Sequence, residues 1–160
     1  MSYFATSLDS PNNSDWIINA LAPTVADPAN AGLTDRQFSN TVEQGVGFYV
    51  PIPSNATNMI ITYKGRSATA TAGNLQMKLY NRAVVSSTPA AVPAWSAATL
   101  LTQVASPANL FFQTFSQTST LASLGLTAGN TYQFEFTRNV AVTGNLAANW
   151  LLLELDIAFT

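Results

Sequence analysis

The feature that most constrains the fold is a period-two alternation of apolar and polar residues, which begins near Gly45 and runs to the end of the chain. This period sends successive side chains to opposite faces of a β-strand. Each alternating segment therefore predicts a strand with one buried face. The predicted buried faces, strand by strand, are Met59, Ile61 and Tyr63; Leu75, Met77 and Leu79; Tyr132, Phe134 and Phe136; and Leu151, Leu153, Leu155, Ile157 and Phe159.

Turn signals separate these segments, among them Gly73-Asn74 and the runs LTAGN at 126–130 and TGN at 143–145. A further strand is predicted in NLFFQTFSQ at 109–117. No long helical period is present, and 160 residues are enough for one core. We predict an all-β fold, an antiparallel β-sandwich of the jelly-roll type.

Residues 1–44 differ from the rest of the chain. They hold five of the eight acidic residues, several Pro and Asn, and few alternating apolar positions. Short helical turns are predicted after Ser14 and at Thr34, where Gln37 completes a capping-box spacing ahead of Phe38. We predict an extended N-terminal arm at 1–44 and a β-sandwich domain at 45–160.

The segment from Ala83 to Leu101 is uncharged and rich in Ser, Ala and Pro, which predicts a long surface loop anchored by Trp95. Loops of this length in a compact domain are commonly functional. An exposed aromatic ring such as Trp95 can stack on a sugar, although burial in a core is the commoner role of such rings.

The chain contains no histidine and no cysteine. This excludes histidine-based triads, cysteine nucleophiles, ordinary zinc sites and disulfides, so we expect no enzyme. Glu154 and Asp156 share a strand face and leave open a carboxylate hydrolase, but a solvated or subunit-facing role is the simpler interpretation. The spacing of Asp9, Asp15 and Asp27 matches no calcium loop, and we expect no metal and no cofactor.

Charge is scarce: 9% of residues are charged, and the net charge is -2 with six basic residues. Few cations argue against nucleic-acid binding. A weakly charged surface of Ser, Thr, Asn and Gln favours permanent assembly with neighbours. No apolar run is long enough to span a bilayer and no secretory signal pattern is present, so we expect synthesis in the cytoplasm and no membrane partner.

If Gly73-Asn74 closed a hairpin, four of the six basic residues would meet on neighbouring strands. These are Lys64, Arg66, Lys78 and Arg82. One interpretation pairs them with acids of the same sheet, namely Glu135, Glu154 or Asp156. The other pairs them with the arm of another subunit or with an acidic surface of a partner.

Three stretches carry a family resemblance: GFYVPIPSNATNMIITYKGRSATATAGNLQMKLYNR, LGLTAGNTYQFEFTRN and NWLLLELDIAF. In order and texture, residues 45–160 resemble small virion proteins of tailed bacteriophages. The resemblance implies a jelly roll or related sandwich, often trimeric, that decorates or cements a capsid or belongs to a tail or fibre.

We therefore expect a structural virion protein, a capsid cement or decoration protein that stabilises contacts between capsomers. Its expected partners are the major capsid protein, or another virion protein, and two further copies in a homotrimer. The candidate contact residues are Asp9, Asp15, Trp16, Asp27, Asp35, Lys64, Arg66, Lys78 and Arg82. The alternative is a receptor- or glycan-binding module of a tail fibre or baseplate that uses Trp95.

Overall fold

A computed structural model describes residues 2–5, 36–84 and 93–160. Five of the candidate contact residues lie outside the described residues, as does the helical turn predicted after Ser14. These five are Asp9, Asp15, Trp16, Asp27 and Asp35.

The described chain forms short strands joined by turns, as the alternation predicts, and one 3-10 helix at Ala122–Leu124. The strands are β1 (Ser2–Ala5), β2 (Arg36–Phe38), β3 (Gly45–Pro51), β4 (Asn58–Ser67), β5 (Gly73–Leu75), β6 (Met77–Ala83), β7 (Thr99–Leu100), β8 (Val104–Ser106), β9 (Gln113–Thr120), β10 (Thr131–Arg138) and β11 (Trp150–Phe159). No helix among the described residues is long and apolar enough to cross a membrane.

Two antiparallel sheets make the body of the molecule. The first sheet has the order β1-β11-β4-β9, with β2 also paired to β11, and the second sheet has the order β3-β10-β6-β7. Strands β5 and β8 form a small third sheet. The predicted antiparallel β-sandwich is confirmed.

The core lies between the two sheets. Tyr63 of β4 contacts Phe136 of β10 with ring centroids 5.4 Å apart, which joins the first sheet to the second. Phe48 and Phe134 stack at 5.5 Å within the second sheet. Offset and tilted aromatic pairs of this kind stabilise a core beyond the area they bury. The predicted buried faces of β4, β6 and β10 are confirmed.

The predicted hairpin at Gly73-Asn74 is wrong. Strands β4 and β6 belong to different sheets, and Gly73-Asn74 opens β5, which pairs with β8. A period-two pattern is the same for strands that pair and for strands that stack, so it does not say which occurs. Strands β4 and β6 each bury an apolar face in the core, from opposite sheets.

The predicted buried face of β11 is confirmed at Leu151, Leu155, Ile157 and Phe159 and is wrong at Leu153, which is only half-buried. Trp150 and Leu152, predicted on the opposite face, lie in the core. The pairing of β11 with β4 shifts register between Leu152 and Glu154. An extra residue at such a bulge moves the following side chains to the other face, so the buried positions change from even to odd numbers.

Both ends of the predicted arm join the first sheet. Strands β1 and β2 each pair with β11, and Phe38 of β2 is fully buried in the core. Gln37 lies in β2, so the helical turn predicted there is wrong. A buried aromatic residue stabilises an extended strand here more than a capping box stabilises a single helical turn.

Arg138 is fully buried at the end of β10. Its guanidinium donates hydrogen bonds to the carbonyl oxygens of Leu146 (2.6 Å) and Ala148 (2.7 Å) and to the Asn145 side chain (2.9 Å). These contacts hold the segment before β11 against the core. Burial lowers the pKa of Arg138 to about 10, so the side chain keeps its charge at neutral pH.

Candidate functional site

Three consecutive apolar side chains project from the connection between β8 and β9. The exposed fractions are 50% for Leu110, 77% for Phe111 and 41% for Phe112. The strand predicted to begin at Asn109 begins only at Gln113, so these residues form a loop. We call residues Leu110–Phe112 the apolar loop.

Local turn chemistry explains why the strand starts late. The Asn109 amide donates to the Pro107 carbonyl oxygen at 2.8 Å, and the Phe111 amide donates to the Asn109 side-chain oxygen at 3.1 Å. A side chain that bonds the backbone two residues ahead replaces a strand bond by a turn. The apolar loop is thus held in a defined turn.

Two of the candidate contact residues lie beneath this loop. The Lys64 ammonium lies 6.0 Å from the centroid of the Phe112 ring, and the Arg66 guanidinium carbon lies 5.7 Å from it. Cations at this distance are attracted to the ring face. The structure therefore brings Lys64 and Arg66 together with an apolar surface that strand reasoning had missed.

The same two residues have neighbours within the first sheet. In the pairing of β4 with β11, Lys64 lies opposite Glu154 and Arg66 lies opposite Leu151. The register supports the within-sheet interpretation for Lys64, since oppositely charged residues directly across antiparallel strands attract. Asp156, the other member of the carboxylate pair, lies opposite Thr62.

Lys78 belongs to a separate polar cluster on the second sheet. Glu43 accepts hydrogen bonds from Lys78 (2.6 Å), from the Tyr80 hydroxyl (3.0 Å) and from the Thr137 hydroxyl (3.0 Å). Burial raises the pKa of Glu43, but the bonds from Lys78, Thr137 and Tyr80 outweigh burial and leave the pKa below its ordinary 4.5. Lys78 thus pairs with an acid of its own chain.

Glu135 lies on β10 between Tyr80 of β6 and Gly47 of β3. Burial raises its pKa, and the negative charge of Glu43 raises it further, whereas Arg82 acts in the opposite direction. The two carboxylates are therefore shifted to opposite sides of the ordinary value. Since Glu43 has three donors around it, it keeps the negative charge more readily.

Arg82 of β6 contacts Trp95. The guanidinium carbon of Arg82 lies 4.4 Å from the centroid of the Trp95 indole, and its Nε donates to the Gln133 side-chain oxygen at 2.6 Å. Gln133 lies opposite Tyr49 of β3. Trp95, the predicted anchor of its loop, is half-buried, so part of the residue is exposed to solvent.

A groove of about 250 Å³ runs along the outer edge of β9. It is lined by Tyr63, Thr102, Val104, Thr114, Phe115, Ser116 and Gln117. The Thr102 amide donates to the Gln117 side-chain oxygen at 2.7 Å, which ties the loop before β8 to this strand. The groove therefore combines hydroxyl groups with aromatic walls.

Metal ligands are sparse in this arrangement. Among the described residues, no three Asp or Glu side chains come together in a group that could hold a metal ion.

Comparison with known proteins identifies a similar fold. No protein-family model matches the sequence, and no curated protein matches it. Among solved structures, the chain is similar to the CBM35 from Cellvibrio japonicus Abf62, with a TM-score of 0.50, 9% sequence identity, and coverage of 99% of this chain and 93% of that one. At this identity the likeness is one of fold alone, and it confirms the predicted jelly-roll sandwich.

Proposed function

We propose that this protein is a structural virion protein, a capsid decoration protein that attaches to the outer surface of the shell through the apolar loop. The observation that carries the proposal is the exposure of three consecutive large apolar residues, Leu110, Phe111 and Phe112. Contiguous exposed apolar surface on a folded domain marks an interaction site.

The apolar loop offers binding free energy that the isolated protein leaves unused. Phe111 is 77% exposed, and fully burying a phenylalanine side chain contributes about 1.5–3 kcal/mol. The turn at Asn109 and the cations beneath Phe112 fix the loop before it meets a partner. A loop that is already ordered loses little entropy on binding.

Two features of the chain favour a virion shell as the partner. Residues 45–160 resemble tailed-phage virion proteins, and only 9% of all residues are charged. A weakly charged surface tolerates the close neighbours that surround every subunit of a capsid. The partner surface that fits is an apolar depression on a shell protein.

The test uses shells of the virus that encodes this chain, prepared without the decoration protein. Binding of the wild type and of Phe111→Ser is measured by co-sedimentation. We expect Phe111→Ser to bind at least about tenfold more weakly, because a central aromatic anchor is lost. Val42→Ser is the matched control, since Val42 is also an exposed apolar residue, at 58%, but lies elsewhere. Equal binding by all three proteins would contradict the proposal.

A glycan-binding module remains the second candidate function. The observation that favours it is the Trp95 ring, which is half-buried and stacked on Arg82 at 4.4 Å, with Gln133 beside it. A supported aromatic ring flanked by hydrogen-bonding groups suits the apolar face and hydroxyls of a sugar. The similar CBM35 is a carbohydrate-binding protein, and this likeness weakly favours the same candidate.

A glycan array separates the two functions. On the glycan hypothesis the wild type binds defined glycans, Trp95→Phe retains part of the affinity and Trp95→Ala loses it, while Phe111→Ser binds normally. An array without any bound glycan would reject this candidate and leave attachment through the apolar loop.

A further inference from the structure

Strand β9 lies at the edge of the first sheet. Within the part of the chain that the structure describes, it pairs with β4 along its whole length, from Gln113 to Thr120, and with no strand on its other side. An edge of this kind presents backbone N–H and C=O groups to a further strand. It is eight residues long, which is enough for a continuous ladder.

The residues of β9 include none of those that usually block pairing at an edge, although the loop at Thr102 lies beside the strand and bonds the Gln117 side chain. The eight residues, QTFSQTST, contain no charge and no proline. Proteins commonly place Lys, Pro or bulges on exposed edges because these block pairing with another chain. Their absence from β9 points to an edge that takes a partner strand.

The exposed side chains of β9 could form hydrogen bonds with the same side chains of a second copy. They are all hydroxyl residues, namely Thr114, Ser116, Thr118 and Thr120. Within the molecule, Ser116 already forms a 3.0 Å hydroxyl-hydroxyl hydrogen bond with Thr62 across β4. A second copy of β9 would present the same hydroxyl row, with no charge to repel it.

We propose that β9 pairs antiparallel with β9 of a second copy about a two-fold axis, so that the first sheet continues across both molecules. A two-fold axis perpendicular to the sheet keeps each face on its own side. Every register that obeys this symmetry places Ser or Thr opposite Ser or Thr on the outer face. On the inner face, the groove beside Phe115 and Gln117 receives side chains of the incoming strand.

This pairing goes beyond the proposed attachment to a shell, because it concerns contact between copies and uses the edge of β9 instead of the apolar loop. It also yields a closed dimer, whereas the phage resemblance implies a trimer. The two assemblies have different masses, which makes them easy to distinguish.

The test is the native mass of the full chain by light scattering behind a sizing column at several concentrations. We expect twice the 17.0 kDa of one chain for the wild type. Thr118→Lys should weaken dimerisation at least about tenfold, because it places a like charge on the shared edge of both copies. Thr62→Lys is the control: it places the same charge on the same face, but on the central strand β4.

A wild type that stays at the mass of one chain would overturn the proposal. A species of three times that mass, unchanged by Thr118→Lys, would overturn it as well. Circular dichroism checks that the variants fold, and Ser116→Glu replaces Thr118→Lys if the latter does not. Failure of the two proposals is distinguishable, since Phe111→Ser should stay dimeric while losing attachment to shells.

Discussion

The polar cluster around Glu43 and the apolar loop use their side chains in opposite ways. In the cluster, charged groups turn toward each other, and Lys78, Tyr80 and Thr137 all donate to Glu43. In the apolar loop, Phe111 is exposed to solvent, although phenylalanine is usually buried in a core. The comparison teaches that the charges of the Glu43 cluster are used within the fold, whereas the apolar loop leaves its side chains exposed to a partner.

The largest expected effect comes from Arg138, the most deeply buried charge among the residues that the structure describes. Arg138→Met should lower the free energy of unfolding by about 3–5 kcal/mol, since it leaves the carbonyl oxygens of Leu146 and Ala148 buried without a donor. Chemical denaturation measures this. Lys64→Met, on the outer face of the first sheet, is the control and should change stability by less than about 0.5 kcal/mol. If Arg138→Met and Lys64→Met lowered the free energy of unfolding equally, the buried charge of Arg138 would contribute no more to stability than the surface charge of Lys64.

Removing the charge of Glu43 should have the next largest effect. Glu43→Gln loses the charge in three hydrogen bonds and should cost about 1–2 kcal/mol at pH 7. Glu154→Gln should cost less than about 0.5 kcal/mol, because Glu154 of β11 and Lys64 of β4 form an ordinary cross-strand pair on the outer face. If the two variants were equally stable, the cluster would contribute no more than an ordinary surface pair.

The pH dependence of the cluster follows from the lowered pKa of Glu43. Because its native pKa lies below the ordinary 4.5, its contribution is fully present above pH 4.5 and is lost as the pH falls through the native value. The destabilisation by Glu43→Gln should therefore shrink in acid. Denaturation curves of both proteins between pH 3 and pH 7 measure it, and a constant difference would contradict the assignment.

Glu135 should behave in the opposite sense. Its pKa is raised by burial and by Glu43, so its charged form opposes folding above that raised value, and the penalty disappears as the pH falls to 4.5. Glu135→Gln should therefore raise the melting temperature at pH 7 and leave it unchanged near pH 4. A variant that is less stable at pH 7 would show that attraction to Arg82 dominates.

The smallest expected effect on stability belongs to the apolar loop. Phe111→Ser should change the free energy of unfolding by less than about 0.5 kcal/mol, because the side chain is 77% exposed. Thermal melting measures it, with Phe115→Ser as the contrasting variant, since Phe115 contacts Tyr63 and Trp150 in the core. A large loss in Phe111→Ser would assign the loop a structural role.

Much of the fold could be predicted from the alternation because strands β4, β6 and β10 each bury an apolar face. The signal for Arg138 was also present, since it continues the even-numbered inward series of Tyr132, Phe134 and Phe136. Residues of that series face the core, so a cation there must be buried and bonded.

The rest depended on contacts between distant segments. The bulge in β11 could not be predicted, because residues 150–153 are apolar at both odd and even positions. The hairpin prediction was wrong because strands that pair and strands that stack have the same alternation. The apolar loop was read as a strand because Leu110, Phe111 and Phe112 favour one, whereas a single bond from the Phe111 amide to Asn109 sets the turn. Glu43 was assigned to the arm, although it completes a cluster with β6 and β10.

Hydrogen-deuterium exchange of the protein, free and bound to shells that lack it, tests the central claim most directly. Bound protein should show new protection in the peptide that covers residues 107–112, while peptides around Arg82 and Trp95 exchange as in the free protein. Protection confined to residues 93–98 and the outer face of the second sheet, with the apolar loop unchanged, would contradict attachment through Leu110–Phe112.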